Sequence, residues 1–245
     1  MEDVKKEKFG SRKSILKSIL IDNKIKFISN LWVITCRNAI NPNKNNRYLV
    51  CIEGEYNNEE YRDLLNKINK NITILNLNFN EKNRTAFIND LKDNKTETLS
   101  YEDLKNKIIE STNCKFVESY AMGSSESTPL SRFFRENMGK GFALTDIDFY
   151  ISEKKIFIEE KNFINDTQGY LGVGQCISFK EIVNDIFNGL DLKIICNDGV
   201  DFFMADVNKI NCGNTKVIHG WGKMVVFGLE KINKKDIINY LKGVD

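Results

Sequence analysis

The chain has 245 residues, of which 41% are hydrophobic and 11% aromatic, so it is long enough and apolar enough to bury a substantial core. Its 36 basic and 34 acidic side chains leave a net charge of only +2, which excludes a strong overall field and makes any nucleic-acid surface a local patch. The six cysteines form no CxxC pair and there is one histidine, which excludes a zinc knuckle; we expect reduced, mostly buried thiols.

The N-terminal segment is charged, and no apolar run approaches the roughly 20 residues that a membrane helix needs. The sequence therefore predicts an intracellular, cytoplasmic protein that does not contact a membrane.

Before residue 115, the spacing of apolar residues predicts alternating helices and strands. In chain order these are a helix from Ser11 to about Asn30 interrupted at Asp22–Asn23, strands at Leu31–Cys36 and Tyr48–Ile52 joined by an exposed loop, a helix at Asn58–Ile68, a strand at Ile72–Phe79, a helix at Thr85–Leu91, a polar loop at Asn94–Thr98 and a helix at Tyr101–Ser111. Ser100, with an acid three residues later at Asp103, predicts the N-cap of this last helix. We interpret residues 1–114 as an N-terminal α/β region that positions substrate or supports a homodimer.

Glycine, serine and charged residues become more frequent from Cys114 onward, which indicates a second domain over residues 115–245. Its predicted elements are a helix starting at Thr128-Pro129, strands at Phe142–Ile151 and Lys155–Lys161, a glycine-rich link at 169–174, a helix at Gln175–Phe187, strands at Leu192–Cys196, Phe202–Val207 and Lys216–Leu229, and a closing helix at Lys234–Leu241.

The segment from Thr145 to Lys161 predicts a β-hairpin with its turn at Glu153-Lys154. Antiparallel pairing would place Ile151 opposite Ile156 and Phe149 opposite Ile158, with one face forming a core. The other face would carry three groups that meet at one place, because Asp148 lies opposite Glu159 and Lys161 is on the diagonal. The same register places Asp146 opposite Lys161.

Two adjacent carboxylates repel each other unless a cation lies between them, and their hard oxygens suit Mg²⁺, with Mn²⁺ as a substitute. A metal ion held by Asp148 and Glu159 would bind a phosphate and activate a water, and Lys161 would orient or deprotonate that water. A solvated salt-bridge ladder of Asp146, Glu159 and Lys161 is the alternative interpretation.

Asp148, ten intervening residues and Glu159-Glu160-Lys161 resemble the PD-(D/E)xK nuclease signature, which restriction endonucleases and junction resolvases share. The resemblance covers roughly Pro129 to Phe187. It implies an α/β, restriction endonuclease-like core, in which a central mixed sheet flanked by helices carries the motif on adjacent strands. It also implies that Asp148 and Glu159 bind metal and that Lys161 assists the water.

The sequence departs from the signature at Ile147, where the pattern has proline, and this leaves Asp146 as a rival metal ligand. Gln175 resembles a glutamine that some relatives carry at the start of the following helix, although an ordinary helix N-terminus is an equal alternative. Other side chains near the motif have weaker claims: Glu126 and Glu136 as additional acids, and Arg132, Arg135 and Lys140 as phosphate-binding cations.

Other reaction classes find little support. Ser124–Ser127 lacks a GxSxG context, no phosphate-binding GxxxxGK[ST] loop exists, and His219 beside Trp221 is more typical of a turn. We therefore expect a Mg²⁺-dependent endonuclease acting on nucleic acid, DNA rather than RNA on family frequency. The alternative from another class is a catalytically silent module that keeps the nuclease fold and binds nucleic acid or a protein.

Overall fold

The computed structural model describes residues 13–37, 47–115, 128–139, 141–161, 163–165, 168–197, 200–218, 220 and 222–244. The helices are α1 (Lys13–Asp22), α2 (Asn58–Leu65), α3 (Tyr101–Ser111), α4 (Pro129–Asn137), α5 (Val173–Glu181) and α6 (Lys234–Lys242). The strands are β1 (Phe27–Ile28), β2 (Leu31–Cys36), β3 (Tyr48–Glu53), β4 (Thr73–Asn80), β5 (Thr85–Asp90), β6 (Lys95–Ser100), β7 (Phe142–Ile147), β8 (Phe149–Ile151), β9 (Ile156–Lys161), β10 (Phe163–Asn165), β11 (Gln168–Gly172), β12 (Asp191–Asn197), β13 (Phe202–Asp206), β14 (Thr215–Ile218), β15 (Gly222–Gly228) and β16 (Glu230–Ile232).

The protein is α/β, with mixed sheets flanked by helices, as the sequence predicted at this level. Its described residues form two compact units. Unit 1 contains residues 13–28, 148–176 and 191–244, and unit 2 contains residues 29–115, 128–147 and 177–190. The chain thus crosses between the units several times, whereas the sequence predicted one change near residue 115. None of the described helices has the length and apolar character needed to cross a bilayer.

Unit 1 is built on a six-stranded sheet in the order β1-β8-β9-β12-β13-β16. All neighbours are antiparallel except β9 and β12, which run parallel and are connected through α5. One face of this sheet forms a core with α1 and α6, because the apolar residues of both helices cluster with those of β8, β9, β12 and β13. A second sheet of unit 1 has the antiparallel order β10-β11-β15-β14.

Unit 2 contains a six-stranded sheet in the order β6-β5-β4-β3-β2-β7, in which β3 and β4 are parallel. Helices α3 and α4 pack their apolar faces on this sheet, with Leu104, Ile108, Leu130 and Phe133 fully buried. The predicted caps are present. The Ser100 side chain accepts from the backbone N–H of Asp103, and Thr128 does the same for Ser131.

Two predicted elements of unit 2 are wrong: residues 85–91 are not a helix, and residues 94–98 are not a loop. They belong to β5 and β6, which extend the sheet from β4 as two successive hairpins. Both turns contain a non-glycine residue with positive φ, Arg84 and Asn94. Alternation of buried Ala86 and Ile88 with exposed Phe87 was the strand signal, but so short a run is also compatible with a helix.

The glycine-rich link predicted at residues 169–174 is also wrong, because residues 168–172 form β11. Gly169 pairs with Phe227 in β15, and a Cβ atom on residue 169 would lie 2.5 Å from the Phe227 ring. The glycine therefore allows close approach of an aromatic ring within a strand, which a sequence pattern cannot distinguish from a flexible loop.

Helix α5 continues into a π-helical turn at Ile182–Ile186, where unit 2 contains a network of charged side chains. The Tyr48 hydroxyl donates to Asp185 Oδ2 at 2.8 Å, and Arg47 binds Glu181 Oε1 at 3.0 Å. Burial raises the pKa of Tyr48, with the Asp185 carboxylate adding to the effect, so the phenol keeps the proton that it donates.

The expectation of reduced thiols is wrong for four of the six cysteines. Disulfides join Cys36 to Cys114 in unit 2 and Cys176 to Cys212 in unit 1, while Cys51 and Cys196 are buried thiols. The bridged cysteines are 78 and 36 residues apart. Only the fold brings such distant positions together, which is why spacing along the chain did not reveal the pairing.

Removing the longer bridge is expected to destabilise the protein. A Cys36→Ala/Cys114→Ala variant should lose about 2–4 kcal/mol of unfolding free energy, because the bridge restricts the unfolded chain across a long loop. Urea unfolding without reductant measures the loss. Wild type treated with dithiothreitol serves as the control and should lose at least as much stability, because reduction also breaks the Cys176–Cys212 bridge. Equal stability of untreated wild type and variant would contradict this.

Candidate functional site

The predicted strand Phe142–Ile151 is interrupted at Asp148, which lies between β7 and β8. Strand β7 belongs to the sheet of unit 2, and β8 belongs to the six-stranded sheet of unit 1. Asp148 is buried, with 6% of its surface exposed, so a charged residue occupies the position at which the chain passes from one sheet to the other. Its surroundings in unit 1 supply the contacts described below.

The predicted hairpin register is confirmed for β8 and β9. Phe149 pairs with Ile158 and Ile151 with Ile156, and all four side chains belong to the apolar core of unit 1. The turn is closed by a hydrogen bond from Lys155 N to Ile151 O at 2.8 Å. On the opposite face Tyr150 and Phe157 are in ring contact, with centroids 5.4 Å apart. Strand β9 is thus buried on both faces.

The Asp148 carboxylate is held by the neighbouring strand. Its Oδ2 accepts a hydrogen bond from the backbone N–H of Glu160 at 2.8 Å. Since Glu160 lies between Glu159 and Lys161, this bond attaches the aspartate to the strand segment that carries the other two predicted residues. It holds Asp148 beside the end of β9. The strand ladder stops at the pair Phe149–Ile158, so the predicted pairing of Asp148 opposite Glu159 is not part of it.

Glu159 and Lys161 form an ion pair, with Lys161 Nζ 2.5 Å from Glu159 Oε1. The two side chains differ in exposure, at 1% for the glutamate and 26% for the lysine. Removing a carboxylate from water costs free energy unless a cation and hydrogen bonds compensate, and Lys161 supplies the cation here. The pair therefore joins a buried carboxylate to a lysine side chain that is partly exposed.

Gln175, in the first turn of α5, reaches the same carboxylate. Its Nε2 lies 3.4 Å from Glu159 Oε1, which is a long hydrogen bond. The adjacent Cys176 forms the disulfide with Cys212, and this covalent bond anchors the start of α5 within unit 1. The structure thus places Gln175 beside Glu159, whose other contact is Lys161.

Asn197, at the end of β12, is a contact residue of this region that the sequence did not indicate. Its Nδ2 donates to Glu160 Oε1 at 2.6 Å, and both side chains are buried. Glu160 is on the face of β9 that includes Ile158, opposite to Glu159. An asparagine ending the otherwise apolar run of residues 194–196 was the available signal, but it gave no indication of its partner.

Cys196 pairs in register with Lys161 and is a buried thiol. Burial raises its pKa to about 12, with the Lys161 ammonium opposing and the Glu160 carboxylate adding to the shift. The thiol is therefore protonated at neutral pH, which excludes it as a ready nucleophile.

The remaining predicted site residues belong to unit 2 or lie outside the described residues. Asp146 pairs with Trp32 in the sheet of unit 2, so the prediction that it faces Lys161 in the hairpin is wrong. Arg132 contacts Glu81 through two nitrogens, at 2.7 and 2.6 Å, and Glu136 lies 3.5 Å from Arg84. Arg135 is in the last turn of α4. Residues outside the described ranges are Lys140, Ser124–Ser127 with Glu126, His219 and Trp221.

Two of the residues at this site have side chains of the type that binds Mg²⁺ or Mn²⁺. Asp148 and Glu159 offer hard carboxylate oxygens, and Mg²⁺ is commonly held by one or two protein carboxylates together with water and substrate phosphate. Within the ranges that the structure describes, no group of three or more His, Cys, Asp or Glu side chains is arranged to hold a metal ion. By the chemistry of their oxygens, Asp148 and Glu159 are the residues that would hold a Mg²⁺ or Mn²⁺ ion, with water and substrate as the other ligands.

No family model, curated protein or solved structure matches this chain.

The buried contact between Asn197 and Glu160 is expected to stabilise unit 1. Asn197→Ala removes a donor from a buried carboxylate and should cost about 1–3 kcal/mol of unfolding free energy, measured by urea unfolding. Asn83→Ala, at an exposed turn of unit 2, is the matched control and should change stability by less than about 0.5 kcal/mol. Similar losses in the two variants would refute a specific role for the buried pair.

Proposed function

We propose that the chain is a metal-dependent nuclease that hydrolyses phosphodiester bonds, with a restriction endonuclease-like core in unit 1 and DNA favoured over RNA as substrate. The observation that carries the proposal is the grouping of Asp148, Glu159, Lys161 and Gln175 around the end of one buried strand. Two buried carboxylates held beside a lysine and an amide cost folding free energy, and such groups are concentrated at functional sites.

The order of elements around this group supports the proposal. In the PD-(D/E)xK family the motif lies on adjacent strands of a mixed sheet, and the following helix packs on that sheet. Here β8 and β9 are adjacent inner strands of a mixed sheet, α5 follows them, and β12 returns parallel to β9. Helix α1 precedes the sheet in the chain and covers one of its faces.

Asp148 and Glu159 would hold the divalent cation, which when bound supplies positive charge to the scissile phosphate and acidifies a water. The chain itself fixes these two carboxylates before substrate arrives, through the Glu160 N–H and the Gln175 amide respectively. Lys161 balances the charge of Glu159, and because its side chain is partly exposed, its ammonium would also position a water or stabilise charge on the phosphate.

Substitutions in this group are expected to abolish cleavage, and circular dichroism of each variant checks that it is folded. Glu159→Gln, Lys161→Met and Asp148→Asn should each lower the cleavage rate by about a hundredfold or more, since each removes a charge at the reacting phosphate. The assay incubates plasmid and single-stranded DNA with Mg²⁺ or Mn²⁺, and EDTA should stop the reaction.

Two matched substitutions make this test specific. Glu153→Gln changes an exposed acid in the turn of the same hairpin and should leave the rate unchanged. Asp146→Asn should reduce it less than Asp148→Asn, because Asp146 belongs to the sheet of unit 2. A wild-type protein inert on every substrate, with circular dichroism showing that it is folded, would favour the silent binding module.

Gln175 is expected to contribute by orienting Glu159. Gln175→Ala should lower the rate by about tenfold, less than loss of Glu159, because a single long hydrogen bond is removed. Gln175→Glu should be worse than alanine, since it places a second carboxylate against Glu159. Rate measurements at several Mg²⁺ concentrations show whether the substitution weakens metal binding or slows cleavage itself. Equal rates for wild type and Gln175→Ala would rule out the orienting role.

A further inference from the structure

The hairpin of β14 and β15 extends past the sheet to which it belongs. Strand β15 pairs with β11 only as far as Met224, opposite Gly172, whereas its pairing with β14 continues to Lys223 and Gly222. Residues 216–218 and 222–224 therefore end as a two-stranded ribbon, which we call the arm.

The arm is exposed on both faces and carries positive charge. Lys216, Val217 and Lys223 are exposed, Val217 at 83% of its surface. The sequence between Asp206 and Glu230 contains lysines but no acid. Among the residues that the structure describes, neither Lys216 nor Lys223 has an ion-pair partner. Uncompensated lysines around an exposed valine form a surface complementary to a polyanion.

The register of unit 1 connects the arm with the candidate site. Met224 is opposite Gly172 on one side and Lys216 on the other, so Lys216 is two strand spacings, roughly 10 Å, from Gly172. Gly172 directly precedes α5, whose first turn contains Gln175. A nucleic acid at the candidate site would therefore pass within reach of the lysines of the arm.

We propose that the arm enters the major groove of duplex DNA, with Lys216 and Lys223 on phosphates of the flanking strands and Val217 against the groove. This inference rests on the proposed function and specifies its substrate. The major groove of B-DNA, about 12 Å wide, admits a two-stranded ribbon, whereas the deep, narrow major groove of A-form RNA does not. The geometry of the arm thus selects duplex DNA over duplex RNA.

The test measures binding separately from cleavage. Fluorescence anisotropy with a short labelled DNA duplex in EDTA gives the dissociation constant of the full chain. Lys216→Glu/Lys223→Glu should weaken binding by about tenfold or more and reduce the dependence of log K on log salt by about 2. Lys234→Glu/Lys235→Glu, at the exposed start of α6 in the same unit, makes the same charge change and should have a smaller effect.

The outcomes separate this inference from the nuclease proposal. Three results would overturn this inference even if the protein cleaves DNA. The arm variant binds duplex DNA as tightly as wild type does, the α6 variant weakens binding as much as the arm variant, or wild type binds duplex RNA as tightly as duplex DNA. A change in oligomeric state of the arm variant, without loss of DNA affinity, would assign the arm to a dimer interface instead. Specific weakening by the arm variant in a protein that never cleaves would support the arm and refute the nuclease.

Discussion

The parallel pairing of β9 with β12 is the constraint on which the candidate site depends. Pairing with β12 on one side and with β8 on the other makes β9 an inner strand whose side chains up to Glu160 are buried. The buried carboxylates near its end therefore need partners inside the protein. Glu159 contacts Lys161 and Gln175 on one face, and Glu160 contacts Asn197 on the other. The same strand supplies the backbone N–H that holds Asp148. Burial thus gives these carboxylates defined positions, whereas ion pairs on a solvated surface would leave them mobile.

Local signals in the sequence predicted the parts of the fold that local physics determines. The caps of α3 and α4 and the alternation of β8 and β9 were identified from short patterns. Strands β5 and β6 were missed because their stability comes from pairing across the sheet rather than from residues 85–98 alone. Strand β11 was missed because Gly169 serves the packing of Phe227.

The candidate site likewise combines contacts that local sequence determines with contacts that depend on the whole fold. The contact of Glu159 with Lys161 follows from residues two apart on a strand, and it was predicted. The separation of Asp146 from Asp148 into different sheets depends on where β7 finds its partner β2, more than a hundred residues earlier in the chain. The partnership of Glu160 with Asn197 and the two disulfides likewise join positions distant in the chain. Predicting such pairs requires knowledge of the strand topology, which the spacing of residues along the chain does not provide.

The core shared by α1 and α6 has a consequence for how the polypeptide acquires its structure. Leu16 and Leu20 near one end of the described chain are packed in one cluster with Ile237 and Leu241 near the other. Contacts so distant in sequence slow folding, because a long loop must close before they form. During synthesis this cluster would be complete only after α6 had left the ribosome. All of unit 2 would by then be available to fold, while part of the apolar surface of unit 1 stayed exposed to chaperones or to other nascent chains.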